Sequence, residues 1–175
     1  MYWYLPMAWT MSFWDALMRP VEILAKPLDT DDLDAAAELH AEAFQQSWSG
    51  DEFASLLAQP GTFGFVARAE GPAPRAVGMV LARLAADEGE ILTIAVSPAA
   101  RGRGVGRLLM DNVLGRLHEA RAASLFLEVE ETNAPALRLY RRLRFEEVGR
   151  RPAYYAGADG RRTSALVLKR VLAGR

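Results

Sequence analysis

The chain of 175 residues contains no cysteine and only two histidines. Without thiols it cannot form disulfides, build a zinc site from thiolates or form a covalent intermediate on a cysteine. Two histidines leave little material for a Ser-His-Asp triad or a histidine-rich metal centre, and we expect no bound metal. These absences exclude several common kinds of catalytic site.

A long apolar run is also absent. Residues 1–18 are rich in aromatic residues and methionine, but they lack the basic start and the run of about 20 apolar residues that export or membrane spanning requires. We therefore expect a cytoplasmic protein without membrane contact. The length and an apolar fraction of 51% predict one domain, over residues 20–172, after an N-terminal extension over residues 1–19.

Charge is distributed unevenly along the chain. Residues 1–100 carry 5 Lys and Arg against 14 Asp and Glu, whereas residues 101–175 carry 16 against 8. A positive excess of this kind suits nucleic acid, and it suits equally the phosphates of CoA. Because the arginines cluster beside a glycine-rich segment, we favour CoA and expect no direct contact with nucleic acid.

The glycine-rich segment follows an apolar strand and leads into a helix. The strand ends at Val96, a turn follows at Ser97-Pro98, and glycines then occupy positions 102, 104 and 106. Glycine lets a ligand approach the backbone closely, and the start of a helix presents unpaired N–H groups that attract phosphate. The spacing fits neither a P-loop nor a dinucleotide-binding fingerprint.

Hydrophobic periodicity predicts a strand, two helices, three strands, a helix, a strand, a helix and two strands. The first strand is predicted over Val21–Leu24 with Pro27 stopping it. Thr30 or Asp31 is predicted to cap the first helix, and Ser49 the second. The segment Ser124–Val129 follows a crossover helix, so we expect it to pair in parallel with the strand Glu90–Val96. The chain is therefore α/β, with a mixed sheet covered by helices.

Two residues suggest chemistry on the second parallel strand and the helix after it. Strand alternation places Glu128 on one face with Phe126 and Glu130, at the strand end where α/β folds bind ligands. If the bound CoA carries an acyl group, its transfer to an amine needs a base for the amine proton and an acid for the departing thiolate. Glu128 suits the first role and Tyr140 the second. On pattern alone, a solvated carboxylate and a core tyrosine explain them equally well.

A resemblance to the GCN5-related N-acetyltransferase (GNAT) superfamily is carried by Arg101-x-x-Gly104-x-Gly106, Leu127-Glu128-Val129-x-x-x-Asn133 and Leu139-Tyr140-x-x-x-x-Phe145. Within it, the chain most resembles the bacterial ribosomal-protein-alanine N-acetyltransferases (RimI-like), over about residues 20 to 170. The resemblance implies the GNAT fold. This is a single domain with a mixed, mostly antiparallel twisted sheet of about seven strands, about four helices and a V-shaped split between the two central parallel strands.

The resemblance also implies an activity and its residues. Acetyl-CoA is the expected cosubstrate, and the expected acceptor is the α-amino group of a protein N-terminus, such as alanine of a small-subunit ribosomal protein. The family's proton acceptor matches Glu128 and its proton donor matches Tyr140. Its cofactor-binding positions match Ile94, Ala95, Val96, Arg101, Gly102, Arg103, Gly104, Val105, Gly106, Arg107 and Asn133.

Some positions depart from or only loosely fit the family pattern. Arg144 stands where the family has a glycine before Phe145, which predicts a helix end without a left-handed residue or with a different turn. Ser164 replaces an acidic residue before the last strand. Trp48-Ser49 resembles a motif of the acceptor-side helices, although a core tryptophan explains it equally well. The tyrosines at 154 and 155 line the acceptor groove or pack between strands.

Other functions remain open on the sequence. Acceptor loops vary within one fold, so the acceptor could be a lysine side chain or a small-molecule amine. A non-catalytic module that binds acyl-CoA or RNA would also use the basic C-terminal half. The presence of Glu128, Tyr140 and the glycine loop together argues against this last alternative.

Overall fold

The computed structural model describes residues 21–156 and 162–172, without the side chains of residues 153–156 and 162. The predicted extension, the turn Asp159-Gly160 and the side chains of Tyr154 and Tyr155 lie outside this description. The strands are β1 Ile23–Pro27, β2 Thr62–Ala69, β3 Arg75–Ala85, β4 Glu88–Val96, β5 Ser124–Glu130, β6 Glu146–Ala156 and β7 Arg162–Val171. The α-helices are α1 Leu33–Ala43, α2 Gly50–Leu57, α3 Val105–Glu119 and α4 Ala134–Arg142, and 3₁₀ turns cover Thr30–Asp32 and Pro98–Ala100.

The seven strands form one sheet in the order β1-β2-β3-β4-β5-β7-β6. Only β4 and β5 are parallel, and α3 is the crossover between them, whereas all other neighbours are antiparallel. The predicted element order and the mixed, mostly antiparallel sheet are confirmed. No helix in the described ranges is long and apolar enough to cross a membrane.

Helices cover both faces of the sheet, and each face has its own core. On the α1–α2 face, Leu39 and Phe53 pack against Met79 and Leu81 of β3. On the α3–α4 face, the core includes Leu109, Leu117, Leu125, Leu127 and Tyr140. The face on which a side chain lies decides which other side chains it can meet at the site.

The chain start differs from the sequence prediction in two places. β1 covers Ile23–Pro27 instead of the predicted Val21–Leu24, and Pro27 ends it, as predicted. Proline is tolerated as the last strand residue because β1 is an edge strand, paired on one side with β2. Asp29, rather than Thr30 or Asp31, is the capping residue, and it caps the 3₁₀ turn Thr30–Asp32 that leads into α1. Its carboxylate accepts the N–H of Asp31 at 3.0 Å, while the Asp32 carboxylate accepts the N–H of Asp29 at 3.3 Å.

The end of α4 also differs from the prediction. Arg144 itself adopts a left-handed conformation with φ 62°, so the helix keeps the geometry that glycine usually supplies. The N–H of Phe145 donates to the carbonyl of Tyr140 at 3.0 Å, and the two rings meet edge to face at 5.7 Å. These contacts hold Arg144 in a conformation that its Cβ disfavours.

Candidate active site

The two central parallel strands separate along most of their length. Pairing between β4 and β5 is limited to Glu88, Gly89 and Glu90 opposite Ser124, Leu125 and Phe126. Beyond these residues β4 stays paired with β3 as far as Val96, and β5 stays paired with β7 as far as Glu130. The V-shaped split implied by the family resemblance is therefore confirmed.

A β-bulge lies where the split opens. In the pairing of β3 with β4, Leu81 is opposite Thr93 and Ala82 is opposite Ile91, which leaves Leu92 as an extra residue. A bulge bends its strand, and this one comes two residues after the last pairing of β4 with β5. No local feature of the sequence predicts this bulge, because Leu92 lies among ordinary strand residues, between Ile91 and Thr93.

The bent half of β4 presents backbone groups to the split. The N–H of Ser97 donates to the carbonyl of Val77 at 3.0 Å. Because pairs in an antiparallel ladder alternate, Ala95 bonds toward β3, whereas the N–H and C=O of Ile94 and Val96 point away from β3. The Val96 carbonyl accepts from Arg101 Nε at 3.3 Å. Of the three residues predicted on β4, Ile94 and Val96 therefore present peptide groups to an extended ligand in the split, whereas Ala95 does not.

The glycine loop lies at the end of β4 and opens α3. Gly102 and Gly104 adopt φ 75° and 84°, and a Cβ on either would meet nothing within 4 Å. Gly104 is the N-cap residue and no side chain caps the helix, so the amides from Gly104 to Arg107 have no acceptor within α3. These amides form an open cradle of the kind that binds a diphosphate.

The arginines of the loop have different surroundings. The side chains of Arg101 and Arg103 are exposed. Arg107 Nε instead contacts both carboxylate oxygens of Asp111, at 2.7 and 2.9 Å, one turn along α3. Arg107 therefore offers the cradle its backbone amide, while its guanidinium group is hydrogen-bonded to Asp111.

Glu128 projects from β5 on the α1–α2 face. Its side chain is 27% exposed, and its Oε1 lies 3.1 Å from a guanidinium nitrogen of Arg151, whose own side chain is 58% exposed. An exposed pair of this kind is weak, so a cationic ligand can displace Arg151 from the carboxylate. Glu128 also borders a cleft of about 340 Å³ that Glu90, Phe126 and Val167 line as well.

Tyr140 lies on the opposite face of the sheet. Its side chain is 4% exposed and belongs to the α3–α4 core, together with Leu127 and Val129 of β5. Alternation on β5 directs Glu128 the other way. Glu128 and Tyr140 therefore lie on opposite faces of the sheet. The split between β4 and β5 is the opening that connects these two faces.

Helix α4 adjoins the glycine loop at the mouth of the split. A Cβ on Gly106 would lie 3.2 Å from Leu139 Cδ2 and 4.0 Å from Val96 Cγ2. The end of β4, the first turn of α3 and the middle of α4 therefore converge at one point, next to Tyr140. Within the described ranges, no group of three or more potential metal ligands is present.

The end of β5 anchors both α4 and β7. Asn133 caps α4, because its Oδ1 accepts the N–H of Ala136 at 3.2 Å. The N–H of Ser164 donates to Glu131 at 2.8 Å, and hydrogen bonds from Ser164 hold the pKa of Glu131 below its usual value. Arg150 contacts the same carboxylate at 2.8 Å. The backbone N–H of Ser164 thus fastens the start of β7 to the end of β5.

The connection between α1 and α2 lies on the face to which Glu128 points. There His40 Nδ1 accepts the N–H of Trp48 at 3.0 Å, and its ring stacks on Phe44 and Trp48 with centroids 4.3 and 4.8 Å away. Burial lowers the pKa of His40, which keeps the imidazole neutral. Ser49 caps α2 as predicted, through a reciprocal pair of bonds with Glu52.

Comparison with known proteins agrees with this architecture. The family model described as the acetyltransferase (GNAT) family matches residues 33–145. A ribosomal protein bS18-alanine N-acetyltransferase of Escherichia coli is 31% identical over 140 residues, which cover 80% of this chain and 92% of that protein. The N-alpha-acetyltransferase RimI of Mycobacterium tuberculosis is 39% identical over 146 residues, which cover 81% and 89% of the two chains.

Solved structures give the same result. The crystal structure of the Escherichia coli ribosomal-protein-S18-alanine N-acetyltransferase superposes with a TM-score of 0.78 at 30% identity, over 88% of this chain and 97% of that chain. Arabidopsis thaliana NAA60 in complex with acetyl-CoA shares the fold, with a TM-score of 0.74 at 21% identity over 87% and 100% of the two chains. The chain therefore belongs to the GNAT family and is an N-acetyltransferase.

Proposed function

We propose that this chain transfers the acetyl group of acetyl-CoA to the α-amino group of a protein N-terminus, such as the N-terminal alanine of a small-subunit ribosomal protein. The observation that carries the proposal is the split between β4 and β5. It has the open amide cradle at one end, Glu128 on one face and Tyr140 on the other. The names of the bS18-alanine and N-alpha-acetyltransferase relatives support the choice of acceptor.

The residues present fit CoA. The cradle from Gly102 to Arg107 has two left-handed glycines with no atom near their missing Cβ, which leaves room for a diphosphate against the amides. The peptide groups of Ile94 and Val96 are suited to pair with the pantetheine arm, and Asn133 lies at the start of the neighbouring helix. When bound, acetyl-CoA supplies the acetyl group as a thioester.

Glu128 and Tyr140 move the two protons of the reaction. The carboxylate of Glu128 receives the proton that the acceptor amine loses as its nitrogen bonds to the acetyl carbon. The hydroxyl of Tyr140 gives its proton to the sulfur as the carbon–sulfur bond breaks. The N–H of Val96 points into the split, where it can stabilise negative charge on the acetyl oxygen.

An α-amine suits this site better than a lysine. The neutral amine is the nucleophile, and the ordinary pKa is about 8 for an α-amine against about 10.4 for lysine. A carboxylate base can therefore deprotonate an N-terminal amine much more easily than a lysine side chain. For a chain without cysteine, direct transfer to the acceptor with both substrates bound is the simplest mechanism.

An acceptor screen tests the proposal. Peptides that begin with alanine, serine or methionine and contain one internal lysine are incubated with acetyl-CoA, beside copies with a blocked N-terminus, and mass spectrometry locates the added group. We expect acetylation at the free N-terminus and none on the blocked copies. Labelling confined to lysine would show a side-chain transferase. CoA binding with no labelling of any amine would favour the non-catalytic module.

A further inference from the structure

Thr93 in β4 carries a polar group without a partner. Its side chain is 7% exposed, and its Oγ1 has no hydrogen bond to any residue that the structure describes. A buried hydroxyl that makes no hydrogen bond destabilises a fold, and a valine of the same shape avoids this penalty. Threonine at this position therefore needs an explanation other than packing.

The sheet directs Thr93 to the same face as Glu128. Thr93 is paired with Leu81, and side chains of an antiparallel pair lie on the same face. Leu81 belongs to the α1–α2 core, so Thr93 also faces α1 and α2. Glu128 projects to this face as well, because Leu127 and Val129 on either side of it lie in the α3–α4 core.

The β-bulge brings Thr93 level with Glu128 along the split. The last parallel pair is Glu90 with Phe126, so Glu128 is two residues further along β5. On β4 the extra residue Leu92 adds one to this count, which makes Thr93 the residue opposite Glu128. The unpartnered hydroxyl and the carboxylate therefore lie on the same face of the sheet, on the two strands that border the split.

We propose that Thr93 is an acceptor-binding residue, whose Oγ1 accepts a hydrogen bond from the α-amine of the incoming protein N-terminus. The inference rests on the function proposed above. An amine offers several N–H groups, and a hydroxyl oxygen has lone pairs to accept one. With one N–H held by Thr93 and one by Glu128, the nitrogen lone pair is left to point at the acetyl carbon.

The chain offers a matched control for this hydroxyl. Thr62 Oγ1 is also buried without a partner in the described part of the chain, but Thr62 is at the start of β2, two strands away from the split. Thr62→Val and Thr93→Val thus make the same chemical change to the same kind of unpartnered group. Only the second removes a group from a strand that borders the split.

The experiment measures acetylation of an alanine-initiated peptide by the full chain and its Thr93→Val, Thr93→Ser and Thr62→Val variants. Thr93→Val should lower kcat/KM for the peptide about three- to tenfold, as expected for one neutral hydrogen bond. The Kd for CoA should not change, and the melting temperature should stay equal or rise. Thr93→Ser should recover most of the loss, and Thr62→Val should match the wild type.

Two results would overturn the assignment of Thr93. One is wild-type kcat/KM in Thr93→Val. The other is an equal loss in Thr93→Ser and Thr93→Val, which would show that side-chain shape matters and the hydroxyl does not. Failure of the proposed function would look different, because the wild type would then acetylate no peptide N-terminus before any variant is compared.

Discussion

Substituting Gly104 by alanine tests whether the glycine loop holds CoA through its backbone. Gly104 has φ 84°, and the added methyl would meet no atom within 4 Å, so the substitution introduces strain without a steric clash. The left-handed conformation costs an L-residue about 1–2 kcal/mol. A loop that relaxes to escape this strain moves the amides of Val105 and Gly106 out of the cradle.

The same methyl can be added to the same helix at a harmless position. Gly115 lies in the middle of α3 with a negative φ, and a Cβ there would also meet nothing within 4 Å. Alanine is favoured over glycine inside a helix by about 1 kcal/mol. Gly115→Ala should therefore stabilise the protein, whereas Gly104→Ala should destabilise it.

Denaturant unfolding and calorimetric titration with CoA measure the two effects. Gly104→Ala should lower the free energy of unfolding by about 1–2 kcal/mol if the strain is retained. If the loop relaxes, CoA binding must restore the strained form, and the Kd rises by up to about 5- to 30-fold. Gly115→Ala should leave the Kd unchanged. Wild-type stability together with wild-type CoA affinity in Gly104→Ala would refute this reasoning.

Two further predictions concern stability. Arg144→Gly should raise the free energy of unfolding by about 1 kcal/mol in denaturant titrations, because φ 62° strains arginine but not glycine; a loss of stability would contradict this reading of the α4 end. Burial lowers the pKa of His40, so this side chain binds a proton more readily in the unfolded chain than in the folded one. Stability from His40 should be complete above the unfolded pKa of about 6.5 and decline as the pH falls below it, with a smaller decline in His40→Asn.

The sequence predicted the elements that depend on local patterns. Alternating and helical apolar positions predicted the element order, and Ser49 was identified as a cap because its hydrogen bonds span only three residues. Asp29 was missed as a cap, since several acids in succession are equally good candidates. Arg144 was misjudged, because the contacts that hold its conformation come from Phe145 packing on Tyr140.

The site depended on information that local patterns do not carry. The family resemblance implied the split, but the bulge at Leu92 depends on how β3 pairs with β4, and Leu92 alone has no unusual property. Thr93 looked like an ordinary strand residue, since an unpartnered hydroxyl is visible only when its surroundings are known. Likewise, the peptide groups of Ile94 and Val96 point into the split and those of Ala95 do not. This difference follows from the pairing of β3 with β4 and not from residue type.

The most direct test of the account is the effect of Glu128→Gln on turnover and on CoA binding, measured with an alanine-initiated peptide and by calorimetry. Glutamine keeps the shape of the side chain but cannot accept the amine proton as a carboxylate does. Turnover should fall by about 100-fold or more while the Kd for CoA stays within about twofold of the wild type. Turnover close to that of the wild type would contradict the central claim that Glu128 is the base at the split.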